Sequence, residues 1–403
     1  MFQQLAAGLN FSLICTDGGT TFGFGEGTSG QLGNVKNYQI NGPPSSSDSS
    51  LPSMIVISNP TNNNDATATS SSGKPLRVVQ VAAGDHHSAC ITADGSLYTW
   101  GLGSDGRLGH GKGLSSNNSN ANDTTVHFHV QPRPVDVFIR TKRRVHQVSC
   151  GADHTLAIDD TSSAYSWGRG NYGALGLGDT RSRWRPIKIQ HNTTDAQELK
   201  WSMVAAGAKH SLLLTTDGNI YSCGHGGNGR LGLGDTSGQL YPMKLTEPTR
   251  IKYRYISAGE AHNAIVATSG ALYTFGHGGF GCLGHGVEED CHVPSAVDTL
   301  QRVHVLQVSC GLGHTLVLSV SGELFSFGMA EQGQCGHDPN GATGETPNVT
   351  TPEKIIMPHE QDGVLLRYIQ IACGAYHTLV VDEDQNVRSF GSGNRGRLGE
   401  YIL

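Results

Sequence analysis

The feature that most constrains this chain is a repeat whose internal spacing never changes. A small-Gly-x-x-His-[Ser/Thr] motif recurs around Gly84 and His87, Gly151 and His154, Gly207 and His210, Gly259 and His262, Gly311 and His314, and Gly374 and His377, with a first copy at Gly8 in which Phe11 replaces His. A second motif, Gly-x-x-x-x-Gly-x-Leu-Gly, begins at Gly25, Gly101, Gly168, Gly224, Gly276, Gly328 and Gly391, with Cys335 in place of Leu in the sixth copy. From the glycine of the first motif to the first glycine of the second is 17 residues in all seven units, although successive units stand 76, 67, 56, 52, 52 and 63 residues apart. All variation in length therefore falls outside the window. A segment that tolerates no insertion is what a packed hairpin requires, because a one-residue slip turns every side chain to the opposite face.

The residues inside the window support that reading. In the second unit His87-Ser88-Ala89-Cys90-Ile91-Thr92 runs to the turn pair Asp94-Gly95 and returns through Leu97-Tyr98-Thr99-Trp100. A further apolar run precedes each window after the first, as in Arg77 to Val81 and Arg302 to Val308. Before that comes a Pro-x-x-apolar segment, at Pro52 to Ile55, Pro134 to Val137, Pro186 to Ile189, Pro242 to Leu245, Pro294 to Val297 and Pro352 to Ile355. A proline at a strand's start suits an outer position. Four short antiparallel strands per unit and seven units predict an all-β chain, one seven-bladed β-propeller spanning residues 1–403. Two polar stretches, about 34–74 and 112–125, are expected to be mobile insertions, with Met54 to Ile57 still forming a strand. Six Pro-x-x-apolar segments leave 27 strands where 28 are expected. Either the sequence is a piece of a longer protein, or the first blade has three strands and an exposed edge.

Composition narrows the function. Gly fills 55 of 403 positions without collagen's period, and charged residues are only 15%, which suits turns and short strands better than a helical bundle. A net charge of −6 gives no global attraction to nucleic acid or to an anionic membrane. No apolar run reaches the ~20 residues of a membrane span, and the start of the chain lacks a signal-peptide layout, so a soluble intracellular protein is expected. The nine cysteines contain no Cys-x-x-Cys and read as reduced thiols, with Cys150, Cys310 and Cys373 as small packing residues.

Six of the glycine motifs match Gly-x-Gly-x-x-Gly, but a dinucleotide site needs a helix directly after the glycines, and here a polar linker follows. They read as turns. One His per unit places His87, His154, His210, His262, His314 and His377 around a ring instead of converging on one ion, so they read as hydrogen-bonding residues that tie strands within each blade. Neither a metal nor another cofactor is predicted, and no catalytic motif emerges. The densest basic and aromatic cluster is Arg181, Arg183, Trp184 and Arg185, and a second is Arg140, Lys142, Arg143 and Arg144. The first is the leading candidate for partner contact.

The two motifs, with the aromatic-Gly junctions Tyr98-Thr99-Trp100-Gly101 and Tyr165-Ser166-Trp167-Gly168, closely resemble the repeats of the regulator of chromosome condensation family. The resemblance implies a seven-bladed propeller and a choice of roles: exchange factor for the small GTPase Ran, module of a large ubiquitin ligase, cilium-associated protein, or UV-B photoreceptor. The photoreceptor's chromophore lies partly in Gly-Trp-Arg-His-Thr versions of the first motif, whereas here the two residues between Gly and His are never Trp. Exchange is associated with a β-wedge after the third Gly-x-Leu-Gly, where this sequence has only Leu177 to Arg185 before Pro186. Asp153 matches an acidic position of the exchange factor. The expectation is a non-enzymatic, monomeric scaffold for a protein partner, cytoplasmic in preference to nuclear. The alternatives are an exchange factor for a small GTPase and, third, a substrate-recruiting ubiquitin-ligase component.

Overall fold

The computed structural model describes residues 2–33, 49–58, 75–111, 128–190, 198–337, 347–356 and 366–399. Within them lie 27 strands in seven antiparallel sheets arranged as the blades of a propeller. The third blade shows the pattern: an inner strand Val145–Cys150, then His154–Asp159 and Ala164–Gly168, and an outer strand Arg183–Lys188. The second strand of such a blade is buried on both faces along its whole length, as in His210–Thr215. A strand covered on both sides must be apolar except where its polar groups are paired: Leu212, Leu213 and Leu214 supply the apolar middle, and His210, Ser211 and Thr215 hydrogen-bond to Asn263 Oδ1, Ala174 O and Asp217 Oδ1.

The core is divided seven ways. Each apolar cluster lies between two adjacent blades, as with Trp100, Leu13, Ile55 and Val78 between the first and second or Trp167, Phe138, Ile91 and Val148 between the second and third. The last cluster joins Leu379 and Val381 of the seventh blade to Leu5, Ile14 and Phe24 of the first, closing the ring. The inner strands enclose a central channel of about 600 Å³.

The repeated histidines cross between blades instead of tying strands within one. Nε2–H donates to the residue that follows the next blade's histidine: His87 to Thr155 (2.8 Å), His154 to Ser211 (2.9 Å), His210 to Asn263 Oδ1 (2.7 Å), His262 to Thr315 (3.0 Å), His314 to Thr378 (3.1 Å) and His377 back to Ser12 (2.9 Å). Each acceptor passes a proton on to a backbone carbonyl in the glycine loop of the preceding blade, as Thr155 does to Arg107 (2.9 Å) and Ser211 to Ala174 (2.7 Å). That donation leaves the hydroxyl free only to accept, which fixes Nε2 as the protonated nitrogen. Phe11 occupies the corresponding place between the first and second blades, where Ser88 still donates to Gln31 O.

The glycine of the same motif is required by space. A methyl group on Gly207 would stand 2.2 Å from His210 Cε1 and 2.7 Å from Gly259 O, and Gly374 meets Gly8 O in the same way to complete the circle. The glycines of the second motif answer to backbone conformation: Gly106 has φ +85°, and a methyl there would lie 2.6 Å from Trp184 Cα of the next blade. The Gly-x-Gly-x-x-Gly segments form three-residue 3-10 turns such as Ser104–Gly106, with no helix for a pyrophosphate to cap.

Three expectations are corrected. The first blade has four strands, because the proline-bearing strand Ser49–Ile55 follows and pairs with Thr21–Gly25 as the outer strand of that same blade; the three-stranded sheet among the described residues is the seventh. Proline lies in the interior of the outer strand, as Pro186 does in Arg183–Lys188, opposite an irregularity between Ser166 and Gly168 where a missing N–H costs nothing. In the second blade the equivalent proline is Pro132: Tyr98 faces Pro134 as Tyr165 faces Lys188, the strand ends at Pro134, and Asp136–Arg140 forms a short helix. Met54 and Ile55 do lie in a strand, Ser49–Ile55. The rest of the expected 34–74 insertion lies mainly outside the described residues and the expected 112–125 insertion lies wholly outside them, since 34–48, 59–74 and 112–127 are not described.

Two outcomes follow from the imidazole ties. Replacing His210 by Ala strands Asn263 Oδ1 in a buried site and opens a cavity, so His210→Ala should lower unfolding free energy by roughly 2–4 kcal/mol in urea titrations. Burial holds the imidazoles far below their usual range, to about 4 for His154 and His314 and about 3 for His210, His262 and His377. The unfolded chain takes up protons near pH 6.5 while the native state stays neutral, so stability is full above that pH and falls as pH drops toward 4. The expected slope is about 1.4 kcal/mol per pH unit for each imidazole involved. Denaturation curves at pH 7.5, 6.0 and 5.0 check this, and a stability independent of pH across that range would contradict it.

Candidate partner-binding face

In every blade the Gly-x-x-His turn and the glycine loop emerge at the same end, because the second strand leaves that end and the third returns to it. The variable positions of the constant-length motifs therefore gather on one face of the ring. Between the second and third blades they build a four-membered ion network. Arg107 Nη2 lies 2.8 Å from Asp153 Oδ1, while Arg169 reaches Asp153 Oδ2 and Asp105 Oδ2, each at 2.7 Å. Arg107 is the buried member, at 2% exposure. Its carbonyl also accepts from Thr155 and from Trp167 Nε1 (2.9 Å each), so the network is anchored to the interblade core. Nearby, at the mouth of the channel, enclosure of Asp85, with Asp153 and Glu260 adding their charge, pushes its carboxyl up to about 6.

Next to this network Tyr172 projects from the third blade's glycine loop at φ +61°, with 49% of its surface exposed. A non-glycine residue held there is strained and is retained by its surroundings. The ring meets His225 edge-on at 4.6 Å, and Lys209 Nζ stands 5.9 Å from its centroid. Asp153, Arg169, Tyr172, Ala208 and Lys209 line a pocket of about 200 Å³.

The Arg181 to Arg185 segment borders the same site. Gly170 lies directly beneath Arg181 O, since a methyl there would be 2.2 Å away, placing Arg181 next to Arg169. Asp179 gathers two of the arginines: Arg181 Nη2 at 2.7 Å and Arg183 Nη2 at 2.8 Å. Arg181 remains 81% exposed. Arg185 is exposed and lies over Gly111 of the second blade, and Trp184 is half-buried in the outer strand. The second basic cluster is on the opposite face. Arg144 donates to Asp94 O (2.9 Å) at the second-to-third-strand turn, and Arg140 pairs with Asp136 (3.3 Å).

Of the residues singled out from sequence, Asp153 and Arg181 thus lie at one site, but with different availability: Asp153 is held by two arginines, and Arg181 faces outward. Asp105, Arg107, Arg169, Tyr172 and Lys209 were not singled out. Their signal was their position, at the variable places of motifs whose length is constant.

Comparison with known proteins identifies the repeat. The profile of the Regulator of chromosome condensation (RCC1) repeat matches residues 18–91, 94–158, 162–214, 217–266, 269–318 and 321–381. The chain belongs to the RCC1 repeat family. Among its relatives, the ultraviolet-B receptor UVR8 of Arabidopsis thaliana is 35% identical over 324 residues, covering 80% of this chain and 67% of UVR8. The human E3 ubiquitin-protein ligase HERC2 is 29% identical over 99% of this chain, which spans 7% of HERC2. The crystal structure of Prp20p from Saccharomyces cerevisiae superposes with a TM-score of 0.72 at 20% identity, covering 100% of this chain and 85% of that one. Human WBSCR16 gives 0.74 at 22%, covering 95% and 87%. The RCC1 propeller fold is common to them. Trp100 and Trp167 here are fully buried between blades and donate to Gln31 O and Arg107 O.

The site separates structural from available charge. Asp153→Ala leaves Arg107 buried without its closest carboxylate and should cost about 3 kcal/mol, whereas Arg181→Ala should leave the urea midpoint where it is. Equal midpoints for both variants would show that the network does not support the fold.

Proposed function

We propose that this RCC1-family chain is a non-enzymatic scaffold that binds a protein partner on the glycine-loop face, around Tyr172, Lys209 and Arg181. The observation that carries this reading is the exposed Tyr172 ring, set rigidly beside a lysine and an outward-facing arginine. An aromatic anchor surrounded by charge is the composition typical of an interface hot spot. The ion network of Arg107, Asp153, Arg169 and Asp105 supports it from below by keeping the loops of two blades in register. That HERC2, an E3 ubiquitin-protein ligase, aligns with 99% of this chain over 7% of its own length favours a recruiting module as a related role.

The second reading is guanine-nucleotide exchange on a small GTPase. It draws on the likeness in fold to Prp20p from Saccharomyces cerevisiae, which binds Gsp1p and histones. In this chain residues 178–182 lead straight into the outer strand Arg183–Lys188, which leaves no hairpin after the third glycine motif.

Release of a fluorescent guanine nucleotide from Ran and from a panel of other small GTPases distinguishes the two. The scaffold reading expects no acceleration by the folded chain. It also expects proximity labelling in cells to yield a partner set that is lost with Tyr172→Ala or Arg181→Glu and kept with Arg140→Glu on the opposite face. Acceleration at substoichiometric protein, or a partner set indifferent to the Tyr172 and Arg181 changes, would overturn it.

A further inference from the structure

The outer edge of the seventh blade differs from the other six. In those, the third strand pairs with a fourth whose proline (Pro52, Pro132, Pro186, Pro242, Pro294, Pro352) is followed three residues later by a buried aliphatic side chain: Ile55, Val135, Ile189, Leu245, Val297 or Ile355. Each of these aliphatics joins an interblade cluster, whereas the cluster between the seventh and first blades draws only on inner, second and third strands. Among the described residues Val387–Gly391, the third strand of the seventh blade, pairs only with His377–Asp382.

The side chains along this edge are correspondingly open. Phe390 and Leu398 are half-buried, while their equivalents Trp100, Trp167, Phe275 and Phe327 are 0% exposed and Leu108, Leu175, Leu231 and Leu283 are no more than 2%. Glycines 30, 106, 173, 229 and 281 each press on the next blade's outer strand, so that an added methyl would meet it at 2.5 to 3.0 Å; on Gly333 the nearest atom is Gly391 Cα at 4.0 Å. Among the described residues this edge leaves partly open the side chains and the glycine turn that a fourth strand covers in the other six blades.

One residue makes this edge selective. Where the other six blades carry Phe22, Tyr98, Tyr165, Tyr221, Tyr273 and Phe325, the seventh carries Arg388. Its Nη2 contacts Asp382 Oδ2 at 3.2 Å, and its Nε is buried with no hydrogen-bond partner among the described residues. Asp382 is also served by the backbone N–H of Asn386 (2.8 Å) and by that residue's amide, so it does not depend on Arg388 alone. The residue facing this place across the sheet is Lys188, Lys244 or Lys354 in three other blades, a charge that Arg388 would repel. A carboxylate there would instead complement it.

We propose that the outer edge of Val387–Gly391 docks an extended segment of a partner protein with proline at its fourth place, a carboxylate at its sixth and an aliphatic residue at its seventh. The segment adds a strand through main-chain hydrogen bonds. Its aliphatic side chain enters the cluster between the seventh and first blades, and its carboxylate takes the buried Nε–H of Arg388.

The test uses the full chain and dye-labelled peptides copied from residues 183–190. The peptide with Lys188→Glu should bind about 10-fold more tightly than the unaltered one, and adding Ile189→Asp should abolish binding. Hydrogen exchange should slow at residues 387–391 on binding and not at 210–215. In the Arg388→Tyr protein, which restores the residue found in four other blades, the preference for Glu should vanish while peptides still bind. Binding indifferent to Ile189→Asp would overturn the proposal. So would unchanged exchange at 387–391, or a free chain already as protected there as at 210–215, which would mean that the chain itself covers the edge.

Discussion

The structure depends on a hydrogen bond that six of the seven blades make to the next. A blade is a small sheet with two apolar faces and cannot bury both by itself. The imidazole donated across those six junctions sets the separation and register of neighbouring blades, and the glycine beneath the ring lets the backbones approach closely enough for it to reach. Removing the proton acceptor, the ring or the glycine disturbs the same contact. This explains why the three positions travel together through the repeat, and why hydroxyl or amide residues follow the histidines.

Once the interblade contact is fixed, the rest is freed to vary. The fourth strand can begin after five residues or after many, because it needs only to find the outer edge of its own sheet and the glycine turn of the blade before. Within the constant motifs, the positions that do not hold the ring are where charge and aromatic residues collect, and on the glycine-loop face they produce the Arg107 network and the Tyr172 pocket. The scaffold reading rests on this division of labour: constant windows hold the ring, and variable positions present chemistry.

Much of this was legible in the sequence because period and spacing are properties of the chain itself. The 17-residue window announced the hairpin, and Asp94-Gly95 its turn. What was not legible was which partner each side chain would choose. His154 carries no mark that its acceptor is Ser211, 57 residues on, because that pairing is set by how blades stack. Pro134 was taken for Pro132 since two prolines stand two residues apart and only the register of Tyr98 decides between them. The blade that lacks its outer strand among the described residues is the seventh and not the first, because the proline strand pairs with the third strand before it, and spacing alone does not say whether a strand belongs to the window before it or after it. Asp153 stands out only through the family resemblance, and its two arginines, Arg107 and Arg169, come from different blades, so no local pattern reveals them.

The sevenfold division of the core has a further consequence for covalent continuity. Because cohesion runs from blade to blade, a protease cut within a described connection such as 178–182, 234–238 or 285–290, none of which contributes to an interblade cluster, severs the chain without separating any pair of packed faces. The two products would remain one closed ring, held at both seams by buried side chains. Such a molecule can be nicked, lengthened or interrupted by an inserted domain at these loops while its central channel and its opposite face keep their shape.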